Sequence, residues 1–288
     1  MNYVYWLAGI SVLVFALERL FPAREQPVLR RWLWSDALHL VFNAHFLGVF
    51  LYIISDRYLM PPIDGWLAAR GLDGFLYQGV AEPWPLALQV IIALFAVDFV
   101  QWGVHVLLHR VPFLWPLHQV HHSVQDGEMD WIVAFRFHWM EPVVYKTLTF
   151  VPLAFFGFAP EAMFVHAVFG TLIGHLNHAN VSWGYGALGY LLNNPKMHLH
   201  HHDYDGPVRG QNFGIIFSCW DYIFGTANVP DTPPRKLGYP GVETMPHDFL
   251  GQEAWPVGSA LSRGRWGTVL ASLSGMVALV ALWWMARR

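Results

Sequence analysis

Long apolar stretches recur along the chain and predict helices that cross a membrane. A spanning helix needs about 20 predominantly apolar residues. Such stretches, or shorter ones with apolar flanks, lie at Tyr3–Leu17, Ala37–Ile54, Pro85–Leu108, Val143–Phe158, Ala162–Ile173 and Trp266–Met285. The fourth and fifth form a predicted hairpin, because Gly157 to Pro160 interrupts them and a proline suits the first turn of a returning helix. The pattern predicts an all-α, multi-pass membrane bundle of about five to six transmembrane segments.

The amino-acid composition favours the same class of protein. Apolar residues make up 55% of the chain and charged residues only 13%, whereas a soluble domain carries roughly 25% charged residues. So much apolar surface needs a bilayer. The net charge of −3 gives no support to nucleic-acid binding, which requires a basic stripe. A single cysteine, Cys219, excludes an internal disulfide.

Basic residues near the segment ends predict the orientation of the bundle. Arginines at positions 19, 24, 30 and 31 follow the first segment, which places that loop in the cytoplasm. The third segment then ends at the cytoplasmic side with His109, and the hairpin returns there with His178. We therefore expect a cytoplasmic, histidine-rich metal-binding cap on the membrane bundle.

The first histidine cluster lies at the end of the third apolar segment. His105 and His109 are four residues apart and share one face of a helix, so they can bind one metal ion. On its own this pair would also suit two structural histidines near a membrane surface. Asp98 lies on about the same face, inside an apolar segment where a carboxylate is costly. We expect Asp98 to accept the second ring N–H of a ligand histidine.

Two further clusters repeat the pattern His-x-x-His-His. They are His118/His121/His122 and His198/His201/His202. Adjacent histidines on a helix point about 100° apart, so one member of each doublet can join its neighbour on one metal while the other faces a second metal. A histidine-rich sequestering loop would be polar and disordered, but these clusters lie among apolar residues. His178, with His175 as a second candidate, follows the hairpin and is expected on the same side.

Eight to ten candidate imidazoles are too many for one ion of ordinary coordination number, so two ions are expected. All-histidine sites suit iron, zinc, copper or nickel, and the spacing alone does not choose among them. Iron would support O2 activation, whereas zinc would support hydrolysis. A zinc-dependent membrane hydrolase and a metal transporter therefore stay open on this reasoning. The apolar surroundings predict a lipid substrate for an enzyme.

A resemblance to a known family narrows this choice. The stretch Asp98-x6-His105-x3-His109-Arg110-x4-Trp115-x2-His118-Gln-Val-His121-His122-Ser123 resembles the signature of the fatty acid hydroxylase/sterol desaturase superfamily. The later His198-Leu-His200-His201-His202 resembles the third histidine box of that family, and His178-Ala-Asn180 resembles its extra histidine segment. The similarity runs in order from about Asp98 to Thr226, which is nearly half of the chain.

The resemblance implies a non-haem pair of iron ions on the cytosolic face, with O2 as co-substrate, that hydroxylates or desaturates a lipid. It implies a catalytic domain at 85–228, between an N-terminal transmembrane region at 1–84 and a cytoplasmic loop with a C-terminal transmembrane helix at 229–288. Since no cytochrome b5-like domain is present, electrons are expected from a separate ferredoxin, cytochrome b5 or reductase. The implied ligands are His105, His109, His118, His121, His122, His178, His198, His201 and His202, with His175 as a further candidate.

Asp98, Asn180 and Asn212 are predicted to contact the ligands rather than the metal. Three departures from the family pattern weaken any transfer of substrate identity. Trp139 stands where the family often has proline, Met197 replaces a frequent histidine, and Phe213 stands where tyrosine is common.

Overall fold

Helices account for the regular structure of the chain. The computed structural model describes residues 2–125, 127–207 and 210–262, and within these ranges it contains no β-strand, only the isolated bridges Leu192–Phe217 and Asp203–Leu237. The α-helices are α1 (Tyr3–Leu20), α2 (Leu33–Val41), α3 (Leu47–Ile54), α4 (Met60–Ala68), α5 (Leu86–Arg110), α6 (Trp115–His118), α7 (Met140–Phe155), α8 (Pro160–His178), α9 (Pro195–His201), α10 (Cys219–Ile223) and α11 (Phe249–Ser262). The all-α prediction is confirmed.

Three helical stretches among the described residues are long and apolar enough to cross a membrane. They are α1, the continuous stretch Leu33–Ala68, and α5. The second is longer than predicted, because π-helical turns at Phe42–Phe46 and Ser55–Leu59 join α2, α3 and α4 without breaking the helix. Their outward faces carry large apolar side chains such as Val12 and Leu13, 69% and 51% exposed, as expected for surfaces that contact lipid.

The predicted break falls between α7 and α8, and both helices pack against α5. Gly157 has a φ of 74° between the two helices, and Pro160 is the first residue of α8. A Cβ at position 157 would lie only 2.7 Å from the Cα of Gly79, so both the backbone conformation and the close approach require glycine. With 16 and 19 residues, the two helices are not among the stretches long and apolar enough to span. The last predicted segment, Trp266–Met285, lies outside the described residues.

A buried ion network fixes the segments beside the histidines. Arg30 donates to both carboxylate oxygens of Asp130, at 2.6 and 2.8 Å, and also pairs with Asp36. Arg136 donates to Asp36 at 2.5 and 2.7 Å and to the carbonyl of Ser123 at 2.8 Å. All four charged side chains are at most 5% exposed. The network therefore ties the loop after α1 and helix α2 to the chain between α6 and α7.

Candidate metal centre

Nine of the ten predicted ligands meet in two groups at the ends of the long helices. Helix α5 supplies two histidines, α6 and the turn after it supply three, the end of α8 supplies one, and α9 with its C-cap supplies three. Within each group the nearest ring nitrogens all lie within 4.8 Å of one another. The first group is His105, His109, His118, His122 and His201, and the second is His121, His178, His198 and His202.

Both His-x-x-His-His motifs are shared between the groups. His122 belongs to the first group and its neighbour His121 to the second, while His201 and His202 divide in the same way. Adjacent positions on a helix point about 100° apart, which is why each doublet reaches both groups. The rings of His122 and His202 are only 4.3 Å apart between centroids, so the two groups are direct neighbours.

Hydrogen bonds at Nδ1 orient five of the rings. An Nδ1–H that donates to an oxygen leaves Nε2 as the atom with the free lone pair. The acceptors are Glu141 Oε2 for His118 at 2.8 Å, and backbone carbonyls for the other four: Phe213 for His105, Arg136 for His121, Gly174 for His178 and Gln211 for His201, at 2.7 to 3.2 Å.

The Nε2 atoms, which carry no proton, lie too close to one another for two nitrogen lone pairs that face each other. Those of His105 and His118 lie 3.0 Å apart, and those of His121 and His178 lie 3.1 Å apart. Because Nδ1 carries the proton on all four rings, neither contact is a hydrogen bond, and the facing lone pairs repel. Two imidazole nitrogens bound to one metal ion at about 2.0–2.1 Å lie about 3 Å apart. The residues present therefore fit bound metal ions.

Burial keeps these rings neutral and leaves several nitrogens unsatisfied. Removal from water lowers the pKa of His118, His121, His122 and His202 well below the usual value, so each is free to bind a cation at neutral pH. The buried Nε2 atoms of His109, His122 and His201 have no hydrogen-bond partner among the described residues. Each such group costs about 1–3 kcal/mol, and metal binding would remove that cost.

Asp98 does not play the part that the sequence predicted. Its carboxylate accepts from the backbone N–H groups of Ile216 and Phe217, at 2.7 and 3.0 Å, and from the indole of Trp220 at 2.9 Å. Asp98 and His105 share a helix face, but seven residues separate them by about 10.5 Å along the axis. The carboxylate therefore holds the loop of residues 215–218 instead of a histidine ring.

The two predicted asparagines also bind backbone rather than rings. Asn212, in a left-handed conformation with φ 55°, donates to the carbonyls of Met197 and Asn228 at 3.0 and 2.7 Å. Asn180 donates to the carbonyl of Arg24 at 2.7 Å. Their hydrogen bonds position α9 and the end of α8, both of which carry histidines.

His175 stands apart from both groups. Its Nε2 lies 3.0 Å from the hydroxyl of Ser11, and its ring stacks on Trp131 at 5.1 Å. Although it lies only three residues before His178 on α8, its contacts are with Ser11 and Trp131 rather than with the grouped rings. Its role as a ligand stays a prediction.

Glu141 is a residue of the site that the sequence patterns did not reveal. The carboxylate is 2% exposed and accepts from the ring of His118, 23 positions earlier in the chain. The available signal was a carboxylate at the start of an apolar segment, where such a group is costly and usually has a function.

A mostly apolar cavity of about 890 Å³ lies beside the two groups. Five of the grouped histidines, His105, His118, His121, His178 and His198, line one part of it. Most of the remaining wall comes from α1, the helix Leu33–Ala68, α7 and α8, including Val49, Phe150, Met163 and Phe164. A molecule that reaches these histidines through the cavity must therefore be largely apolar.

The fold and the site define a helical membrane protein in which two buried groups of histidines, each able to hold a metal ion, lie beside an apolar cavity. The family model "Fatty acid hydroxylase" matches residues 90–226. This part of the chain belongs to the fatty acid hydroxylase/sterol desaturase superfamily, as its histidine motifs predicted.

Three relatives show how far the similarity extends. Ornithine lipid hydroxylase OlsE of Rhizobium tropici is 32% identical over 61% of this chain and 52% of its own length. Alkylglycerol monooxygenase of Homo sapiens is 32% identical over 50% of this chain and 32% of its own, and that of Danio rerio is 28% identical over 78% and 52%. The chain thus spans about a third to a half of the length of these relatives. No solved structure matches it significantly.

Proposed function

We propose that this protein is a membrane-bound oxygenase that holds two non-haem iron ions and uses O2 to hydroxylate a C–H bond of a lipid. The observation that carries this proposal is the juxtaposition of two groups of neutral, converging imidazoles with an apolar cavity. The names of the relatives, a lipid hydroxylase and a monooxygenase, favour hydroxylation. Desaturation begins with the same C–H cleavage and is the second outcome to assay.

The nine grouped histidines are the proposed ligands, five to one ion and four to the other. Imidazole suits iron among the first-row metals, and iron bound in this way supplies the activation of O2 that an unreactive C–H bond requires. The chain itself orients the rings through their Nδ1 hydrogen bonds and excludes water by burial. The cavity would hold the substrate with the C–H bond towards the histidines that line it.

The proposal also includes the side of the membrane on which the centre lies and the source of its electrons. We place the centre at the cytoplasmic face, since the arginines after α1 and the histidine-bearing ends of α5 and α8 lie at the same end of the bundle. A separate ferredoxin, cytochrome b5 or reductase in the cytoplasm would deliver electrons there.

Two other functions make different predictions about the same residues. A zinc hydrolase needs a carboxylate free to act as a base, but Glu141, which touches the first group, is held by His118. A transporter needs ligands along a path through the membrane, whereas these lie together at helix ends. Both features support an oxygenase over these alternatives.

Metal analysis of the full-length protein, purified in detergent after expression with adequate iron, is the direct test. We expect about two iron ions per chain, and O2 consumption that depends on a reductase chain and a lipid and yields a hydroxylated product. Zinc in the purified protein would call for reconstitution with ferrous iron, because expression can load the wrong metal. Failure to bind iron in that experiment would refute the proposal.

A further inference from the structure

One lysine lines the cavity. Lys146 of α7 lines its wall among residues that are mostly apolar. The side chain is half-buried and makes no ion pair or hydrogen bond with the described residues. Its Nζ would lie 3.3 Å from a Cβ on Gly48, so it crosses the gap between α7 and α3. An ammonium group in such surroundings loses much of its hydration and attracts an anion.

The position of Lys146 relative to the metal centre follows from α7. Glu141 contacts His118, and Lys146 lies five residues further along the same helix, about 7.5 Å along its axis. The lining residues of α8 run from Pro160 to His178, a rise of about 27 Å. One leaflet of the hydrocarbon core is about 15 Å thick, so the cavity is long enough for a membrane lipid chain.

We propose that the cavity binds a lipid with an acidic headgroup, and that the headgroup anion pairs with Lys146 while the hydrocarbon chain occupies the apolar part of the wall. Charge complementarity carries this inference: the cavity offers one unpaired cation and no carboxylate among its lining residues. Lys146 is thus a specificity-determining residue. The inference rests on the proposed function only for the statement that the bound lipid is the substrate.

Binding measurements on the detergent-purified full-length protein, made without reductant or turnover, test this inference. The probes are hexadecyl phosphate, hexadecanol and inorganic phosphate, and the variants are Lys146→Met and Lys146→Arg. We expect Lys146→Met to weaken binding of hexadecyl phosphate about tenfold, as for a lost charge-assisted contact, and to leave hexadecanol unaffected. Lys146→Arg should restore most of the affinity. Lys236→Met, at a lysine that lies over the ring of Tyr204, should change nothing.

Three outcomes would overturn the inference. Equal weakening for both hexadecyl probes would show that Lys146 does not recognise the acidic headgroup. Unchanged binding of hexadecyl phosphate to Lys146→Met would show that the lysine does not contribute to recognition. Inorganic phosphate that binds as tightly as hexadecyl phosphate would show that the hydrocarbon chain does not contribute. This test can be separated from the test of the oxygenase proposal. Selective binding without lipid oxidation would refute only the proposed oxygenase activity, and oxidation without selective binding would refute only the proposed preference for an acidic headgroup.

Discussion

Replacement of Glu141 by leucine would test whether its hydrogen bond to His118 maintains the metal centre. The bond is 2.8 Å long, and the two residues are 2% and 1% exposed, so water cannot replace it. Without the carboxylate, the Nδ1–H of His118 has no acceptor and the ring loses its fixed orientation. A buried donor left without its acceptor costs about 1–3 kcal/mol, which is of the order of 10- to 100-fold in affinity. Loss of a residue that orients a ligand weakens metal binding by the same range.

The assay is iron retention by the purified protein against a graded chelator. Glu141→Gln should fall between the wild type and Glu141→Leu, because the amide oxygen can still accept the hydrogen bond but carries no charge. Thr149→Val is the matched control, because Thr149 lies on the same helix as Glu141. The substitution removes the acceptor of a 3.1 Å hydrogen bond from Gln101 of α5, and this bond does not involve a histidine. Wild-type iron retention in a folded Glu141→Leu protein would refute the reasoning.

Three further predictions concern the ligands and the surrounding polar groups. His121→Ala should lower iron from about two ions towards one, since it removes a ligand of the second group alone; full metal content and full activity would contradict the assignment. Asp98→Ala should lower the thermal unfolding midpoint, because two buried backbone donors and the half-buried indole of Trp220 lose their acceptor, at a cost of about 3 kcal/mol; an unchanged midpoint would be the contrary result. Burial raises the pKa of Glu253 to about 8, so the folded state retains a proton that the unfolded state has lost, and stability should decline with pH between about 4.5 and 8. Glu253→Gln should reduce that decline in midpoints measured across this range, and an identical pH profile would exclude the carboxyl as its cause.

The local signals in the sequence were strong where one helix or one motif was sufficient. Helical spacing alone indicated that His121 and His122 would face different partners, and the structure places them in different groups. The break at Gly157 and the start of α8 at Pro160 also followed from the local pattern. The same reasoning failed for Asp98, because sharing a helix face says nothing about which loop packs against that face.

The sequence by itself determined the class of protein: an apolar helical bundle, histidine motifs at helical spacing, and the superfamily to which residues 90–226 belong. These properties depend on composition and on neighbours within a few turns of helix. Only the tertiary structure decided which groups orient the rings, because Glu141 and the carbonyls of residues 136, 211 and 213 reach their histidines across loops and helix pairs. It also decided that Lys146 faces a cavity that five of the grouped histidines line, since a cavity wall is built from helices far apart in the chain.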